Sequence, residues 1–252
     1  MIGLKGKRAL VTGGSRGIGA ATARLFAENG VHVAIGYRSR RADAELLVAS
    51  LRSEFGVTAS AHASDISTVG GAEALVHGAA ESLDGLDFFV GNAGIWPSTD
   101  VAFGSMTDDQ WRRTIAENVD SVFYTTRAAI RAMSDHGRIV LVSSTAGQRG
   151  EAFHADYGAS KGAVISLVKS LAPELAKRDI TVNSVAPGWV DTEMCDEPFA
   201  GGGRERIAAS IPIGRIASAR DIAGPIVFLC SDFARHITGE IVNVNGGSVL
   251  CG

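Results

Sequence analysis

The stretch Gly13-Gly14-Ser15-Arg16-Gly17-Ile18-Gly19 constrains the fold of this chain more than any other. It follows the short apolar run Arg8-Ala9-Leu10-Val11-Thr12 and leads into residues 20–29, where apolar side chains recur at helical spacing. A strand, a glycine turn and a helix in that order are the setting in which the N–H groups of a helix start hold a phosphate. Gly13 permits the turn, Gly17 lets the backbone approach a pyrophosphate, and Gly19 lets the helix sit close to a sheet. Glycines that merely tighten a turn look the same in isolation, so the rest of the chain has to decide.

Apolar strands and amphipathic helices go on alternating. Strands are expected at 31–36, 57–61, 86–90, 140–144, 180–186 and 240–244, and helices at 42–54, 69–83, 108–132 and 221–231. Thr107 suits the cap of the 108–132 helix. A further helix through Tyr157 and Lys161 reaches about Arg178, with Pro173 expected to kink or break it near Ala172. No repeat or low-complexity linker divides the chain. The pattern predicts one α/β domain over 1–252, a Rossmann-type doubly wound parallel sheet of about seven strands with helices on both faces.

The composition narrows the function classes. Hydrophobic residues make up 46%, ample for a core, and a net charge of −3 with no basic run longer than Arg38-Ser39-Arg40-Arg41 argues against nucleic acid. Cys195, Cys230 and Cys251 are far apart and show no metal-ligand spacing, which suits a reducing compartment. Residues 1–7 lack the apolar core of a signal peptide, and no window offers the ~18 apolar residues of a membrane span. A soluble cytoplasmic protein without a metal is expected.

Candidate site residues gather at strand ends. Past the second strand an NAD-binding unit would carry a carboxylate for the ribose hydroxyl. Here Tyr37-Arg38-Ser39-Arg40-Arg41 offers none before Asp43, and a guanidinium would instead bind a 2′-phosphate. NADPH is therefore expected, with Arg38 and Arg16 on that phosphate. Asp65 and Ile66 follow the third strand, near the place of an adenine ring. Gly91-Asn92-Ala93-Gly94 leaves room for a flat ligand, and Asn92 suits a ligand contact and a turn anchor equally. His32 reads as an ordinary strand residue. Asn118, polar in mid-helix, faces solvent or bonds something useful. In His154-Ala155-Asp156-Tyr157-Gly158-Ala159-Ser160-Lys161 the phenol and the amine are one helical turn apart, so the cation is expected to lower the phenol's pKa. The strand ending at Ser143-Ser144 adds a hydroxyl. Residues 193–210, with Gly201-Gly202-Gly203, read as a lid over substrate.

Together these stretches resemble the short-chain dehydrogenase/reductase family over nearly the whole chain. The family's glycine turn matches Thr12 to Gly19, its N-A-G motif Asn92-Ala93-Gly94, and its proline-glycine motif Pro187-Gly188. The resemblance implies catalytic roles for Asn118, Ser144, Tyr157 and Lys161. It implies cofactor contacts from Gly13, Ser15, Arg16, Gly17, Ile18, Gly19, Tyr37, Arg38, Ser39, Asp65, Ile66, Asn92, Ala93, Gly94, Tyr157, Lys161, Pro187, Gly188, Val190 and Thr192. NADP(H) would supply hydride, Ser144 would bond the carbonyl oxygen, Tyr157 would donate the proton, and Asn118 would hold a water joining Lys161 to solvent. The pattern is closest to 3-oxoacyl-[acyl-carrier-protein] reductases, including Ile211 to Arg215 and Ile237 to Gly239. It departs from them at Ser134-Asp135-His136, where they carry basic residues, at Gly91 and at Asn245. Trp96 and Trp189 suit a pocket for an apolar or ring-shaped ketone, which keeps a small-molecule ketone, sugar or polyol open as substrate. A non-catalytic dinucleotide sensor is the third reading, and the family usually forms homotetramers.

Overall fold

The computed structural model describes residues 2–251. Seven parallel strands form the main sheet in the order β3-β2-β1-β4-β5-β6-β9. They are β1 (Arg8–Val11), β2 (His32–Tyr37), β3 (Ala59–Ala63), β4 (Phe88–Gly91), β5 (Arg138–Val142), β6 (Thr181–Pro187) and β9 (Ile241–Val244). β7 (Val190–Asp191) and β8 (Ala217–Ser218) make a separate two-stranded parallel ribbon. The third strand begins two residues later than its apolar run suggested, because Val57 packs into the core ahead of the ladder.

Side chains alternate across the sheet, yet both faces are apolar. Ala9, Val11, Val33, Ile35, Val140 and Val142 lie on one face, against α1 (Gly17–Glu28), α2 (Arg41–Phe55) and α10 (Ala219–Leu229). Leu10, Ala34, Phe89, Ile139 and Leu141 lie on the other, against α3 (Val69–Leu83), α5 (Ser121–Ala132) and α7 (Ala155–Leu175). That is why the strands read as continuous apolar runs: a parallel sheet wound in both directions leaves no face to water. The direction of winding reverses between β1 and β4, which remain parallel, and the crevice outside those strand ends is where such sheets bind ligands.

The 108–132 segment is one continuous helix with an inserted wide turn. α4 (Asp108–Ile115) starts at Thr107, whose hydroxyl accepts from Gln110 N at 3.2 Å, and passes through a π-helical turn, Ala116–Asp120, into α5. The wide turn includes Asn118, the polar residue that fitted a regular helix poorly.

Pro173 does not break α7, which continues unbroken to Leu175 before a 3₁₀ turn at Ala176–Arg178. The expected break near Ala172 is absent: the carbonyl that loses its partner belongs to Lys169, on the solvent side and close to the helix end. α6 (Thr145–Arg149) links β5 to α7, and residues 193–210 fold into a 3₁₀ turn, α8 (Asp196–Phe199) and α9 (Gly203–Ser210).

Candidate active site

The C-terminal ends of β1, β2, β4, β5 and β6 open into a cleft of about 550 Å³. Its mouth is stitched by short polar side chains. Thr12 Oγ1 accepts from the N–H groups of Asn92 and Ala93, both at 3.0 Å, and Asn92 Nδ2 donates to the carbonyls of Thr12 at 2.9 Å and Gly13 at 3.2 Å. Asn92 therefore anchors the turn while also bordering the cleft. Gly19 must be a glycine because an added Cβ would stand 2.2 Å from the Gly13 carbonyl oxygen. This close approach lets α1 start directly over the strand ends, which makes a cradle that fits a pyrophosphate. His32 is structural, its Nδ1 accepting from Thr58 N at 2.9 Å.

Of the expected cofactor contacts, all but Gly19 line this cleft. Ser15, Arg16, Tyr37, Arg38, Ser39, Asp65 and Ile66 line it together with Gly94, Pro187, Gly188 and Val190, and the Thr192 side chain stands beside Gly17 of the glycine turn. Asp65 Oδ1 accepts from the Ser67 hydroxyl at 2.6 Å and from its N–H at 3.1 Å, which holds the carboxyl below its ordinary value. The arginines are paired with carboxylates, Arg38 with Glu117 and Arg16 with Glu193, and Arg40 Nη2 also reaches Glu193 at 2.9 Å.

At the other end β5 and α7 bring the chemistry together. Lys161 Nζ donates to Val142 O at 3.0 Å, and Ser143 Oγ donates to Lys161 O at 2.9 Å, so the amine is fixed against the end of β5. The amine lies 5.8 Å from the centre of the Tyr157 ring. Ser144 caps α6 by accepting from Ala146 N at 3.1 Å, and its hydroxyl also interacts with that of Tyr157.

Burial dominates both titrations. It pushes the phenol above its ordinary value, with the Ser144 hydrogen bond acting in the opposite sense, and it pulls the ammonium down to about 8. The expected lowering of Tyr157 by the lysine is thus not found: loss of water penalises the phenolate, and the opposing pull comes from Ser144 rather than from Lys161. A phenol that keeps its proton at neutral pH is an acid poised to give it to a stronger base.

Asn118 is fully buried beside this pair. Its Nδ2 donates to Ile95 O at 2.9 Å and to Ser160 Oγ at 3.0 Å, and its Oδ1 accepts from Ile95 N at 2.7 Å. The side chain is spent on positioning the strand-four loop and α7. Asp156, also fully buried, accepts from Thr114 Oγ1 at 2.7 Å and Gln110 Nε2 at 3.2 Å, pinning α7 to α4.

An aromatic wall borders the Tyr157 end. Trp96 stacks on His154 with centroids 4.9 Å apart and meets Trp189 edge-on at 5.9 Å, and Trp189 lies 6.0 Å from Phe199. Sequence reasoning missed Glu151 and Arg40, which line the cleft, and had Met194 and Cys195 only as part of the 193–210 segment. Burial raises the Glu151 carboxyl and the Cys195 thiol above their ordinary values. None of these stands in a motif; only the folded loops bring them to the cleft. No helix among the described residues is long and apolar enough to cross a membrane.

Comparison with known proteins agrees with this geometry. The family model described as enoyl-(acyl carrier protein) reductase matches residues 13–248. A 3-oxoacyl-[acyl-carrier-protein] reductase of Vibrio cholerae is 38% identical, over 98% of this chain and 99% of its own. An L-rhamnose 1-dehydrogenase (NAD(P)(+)) of Azotobacter vinelandii is also 38% identical, with 96% of each chain covered. A short-chain dehydrogenase of Burkholderia cenocepacia, solved in complex with NADP, superposes with a TM-score of 0.91 at 36% identity, covering 97% of this chain and 98% of that one. With the glycine cradle, the Ser144, Tyr157 and Lys161 cluster and likeness along its whole length, the chain belongs to the short-chain dehydrogenase/reductase family of NAD(P)-dependent oxidoreductases.

Proposed function

We propose that this enzyme reduces a ketone to a secondary alcohol with NADPH and acts as a 3-oxoacyl thioester reductase. The observation that carries the reading is the convergence of the Ser144 hydroxyl, the Tyr157 phenol and the Lys161 amine at one end of a cleft whose other end is a glycine cradle. Arg16 and Arg38, with no carboxylate between Tyr37 and Arg41, support preference for the 2′-phosphorylated cofactor. The dinucleotide supplies hydride when bound. Ser144 holds the carbonyl oxygen by a hydrogen bond, Tyr157 gives it a proton, and the Lys161 ammonium offsets the phenolate left behind. Asn118 keeps Lys161 and the Ile95 loop in register, and a water beside it reconnects the amine to solvent. Residues 193–210 serve as a lid, and the protein works in the cytoplasm as a homotetramer.

A ring-shaped small ketone or sugar is the second reading. Trp96, Trp189 and Glu151 favour it, a wall of flat faces with a carboxyl between them being suited to a compact polar ring. Arg178 bears on the same choice. It is occupied by Asp135 at 2.8 Å and by the carbonyls of Ile130 and Met133, rather than being free for an acidic carrier protein.

The test is oxidation of NADPH with acetoacetyl thioesters against a panel of cyclic ketones and sugars, each with and without carrier protein. Turnover of the thioester sustains the first reading, and turnover confined to the rings selects the second. Tyr157→Phe should lower kcat by about 10²–10⁴-fold while NADPH binding persists. Near-normal turnover in that variant would remove Tyr157 from the acid role.

A further inference from the structure

Arg16 leaves the glycine turn and Arg40 the connection between β2 and α2, and both guanidiniums end on the same atom, Oε2 of Glu193. Two guanidiniums converging from separate elements on one oxygen make an oxyanion site. Here the chain's own carboxylate fills it. Glu193 opens the turn after Thr192, so the contact spans the cleft from the arginine end to the segment whose Met194 and Cys195 border Tyr157's end. Arg38 pairs elsewhere, with Glu117. The side chains of Arg16, Arg40 and Glu193 are 51%, 52% and 49% exposed, so an anion arriving from solvent can exchange with the carboxylate.

We propose that Glu193 is an internal stand-in for the cofactor's ribose phosphate: a phosphomonoester displaces it from Arg16 and Arg40, and its release frees residues 193–210 beside the substrate. The inference rests on the NADPH reading. It adds Arg40 to the phosphate-binding residues and joins the two ends of the cleft. A phosphomonoester carries nearly twice the charge of a carboxylate and more acceptor oxygens, so it wins a direct competition for two guanidiniums. Each exposed ion pair shifts an equilibrium by only roughly one- to five-fold, which makes the stand-in easy to displace.

The experiment titrates NADP⁺ and NAD⁺ into the full chain by tryptophan fluorescence, Trp96 and Trp189 both bordering the cleft. Glu193→Gln should tighten NADP⁺ by roughly two- to ten-fold, since two weak pairs no longer compete, and should move NAD⁺ much less. Arg40→Ala should weaken NADP⁺ selectively, and in that background the gain from Glu193→Gln should shrink. Adenosine 2′,5′-bisphosphate, which lacks the nicotinamide, should speed tryptic cleavage at Arg204 and Arg206 in the parent, and Glu193→Gln should be cleaved fast without it. Unchanged NADP⁺ affinity in Glu193→Gln, or equal weakening of both dinucleotides as from the loss of a closing strap, overturns the proposal. Arg38→Ala separates the two levels. If it loses NADP⁺ selectively while Glu193→Gln does nothing, only the stand-in fails; if it loses both cofactors equally, the NADPH reading fails with it.

Discussion

Gly94 shows how little space separates the groups around Tyr157. A Cβ at this position would stand 2.9 Å from Asn118 Oδ1 and 3.3 Å from Lys161 Nζ, so any side chain has to push the amide or the amine aside. Gly94→Ala should lower kcat by on the order of 10–100-fold, a cost ordinary for misplacing a catalytic group by a fraction of its reach. The fold should survive, because the clash falls on side-chain ends. Steady-state kinetics beside a thermal melt would separate the two effects, and unchanged turnover would show that Lys161 tolerates displacement.

Lys161 also carries a pH signature. Its folded value lies near 8 against an ordinary 10.5, so between those limits the unfolded chain binds more protons than the folded one. Stability gains from deprotonating this amine as pH climbs from about 8 toward 10.5, and the burial penalty is present in full below 8. Lys161→Met should remove a slope worth on the order of 3 kcal/mol across that window. Denaturant midpoints of both proteins at several alkaline pH values would read it, and parallel curves would refute it.

α4 and α7 meet through one buried carboxylate. Asp156 takes its hydrogen bonds from Thr114 and Gln110 on α4, and the other end of the same helix system carries the π-helical turn that delivers Asn118 to Ile95 and Ser160. Thr114→Val keeps the shape and removes the 2.7 Å bond, which should cost about 1–3 kcal/mol because the carboxylate stays dry. Urea unfolding measures this, and a loss below a few tenths would mean that Gln110 alone satisfies Asp156. These ties explain what could be read in advance. The helix at 108–132, its Thr107 cap and the awkward Asn118 were legible, because period, cap chemistry and a polar residue out of place are all local signals. The wide turn that resolves the awkwardness was not, since it depends on what lies across from it. The break allowed for at Pro173 did not occur for the same reason: a missing N–H near a solvent-facing helix end costs little, and sequence does not say which carbonyl faces water.

The parallel, doubly wound sheet and its two-sided core were legible because both follow from alternation of apolar strands with amphipathic helices, and the motif residues at the cleft were legible because spacing fixes them to strand ends. Arg40 and Glu151 were not, and Glu193 and Cys195 were read only as part of a lid, without their partners. Each lies in a connection whose path is set by tertiary packing, and the pairings that give them meaning join residues as far apart as Arg40 and Glu193. The Thr12 hydroxyl has a corresponding effect on how the molecule breathes. By accepting from two consecutive N–H groups beyond the end of β4, it gives a connecting loop the bonding of a ladder. In deuterium oxide the Asn92 and Ala93 amides should therefore exchange as slowly as those of the central strands, and Thr12→Val should release them together while β4 itself stays protected. The lip of the cleft is on this account among the last parts of the protein to open, which keeps a ligand's seat in shape while the outer segments fluctuate.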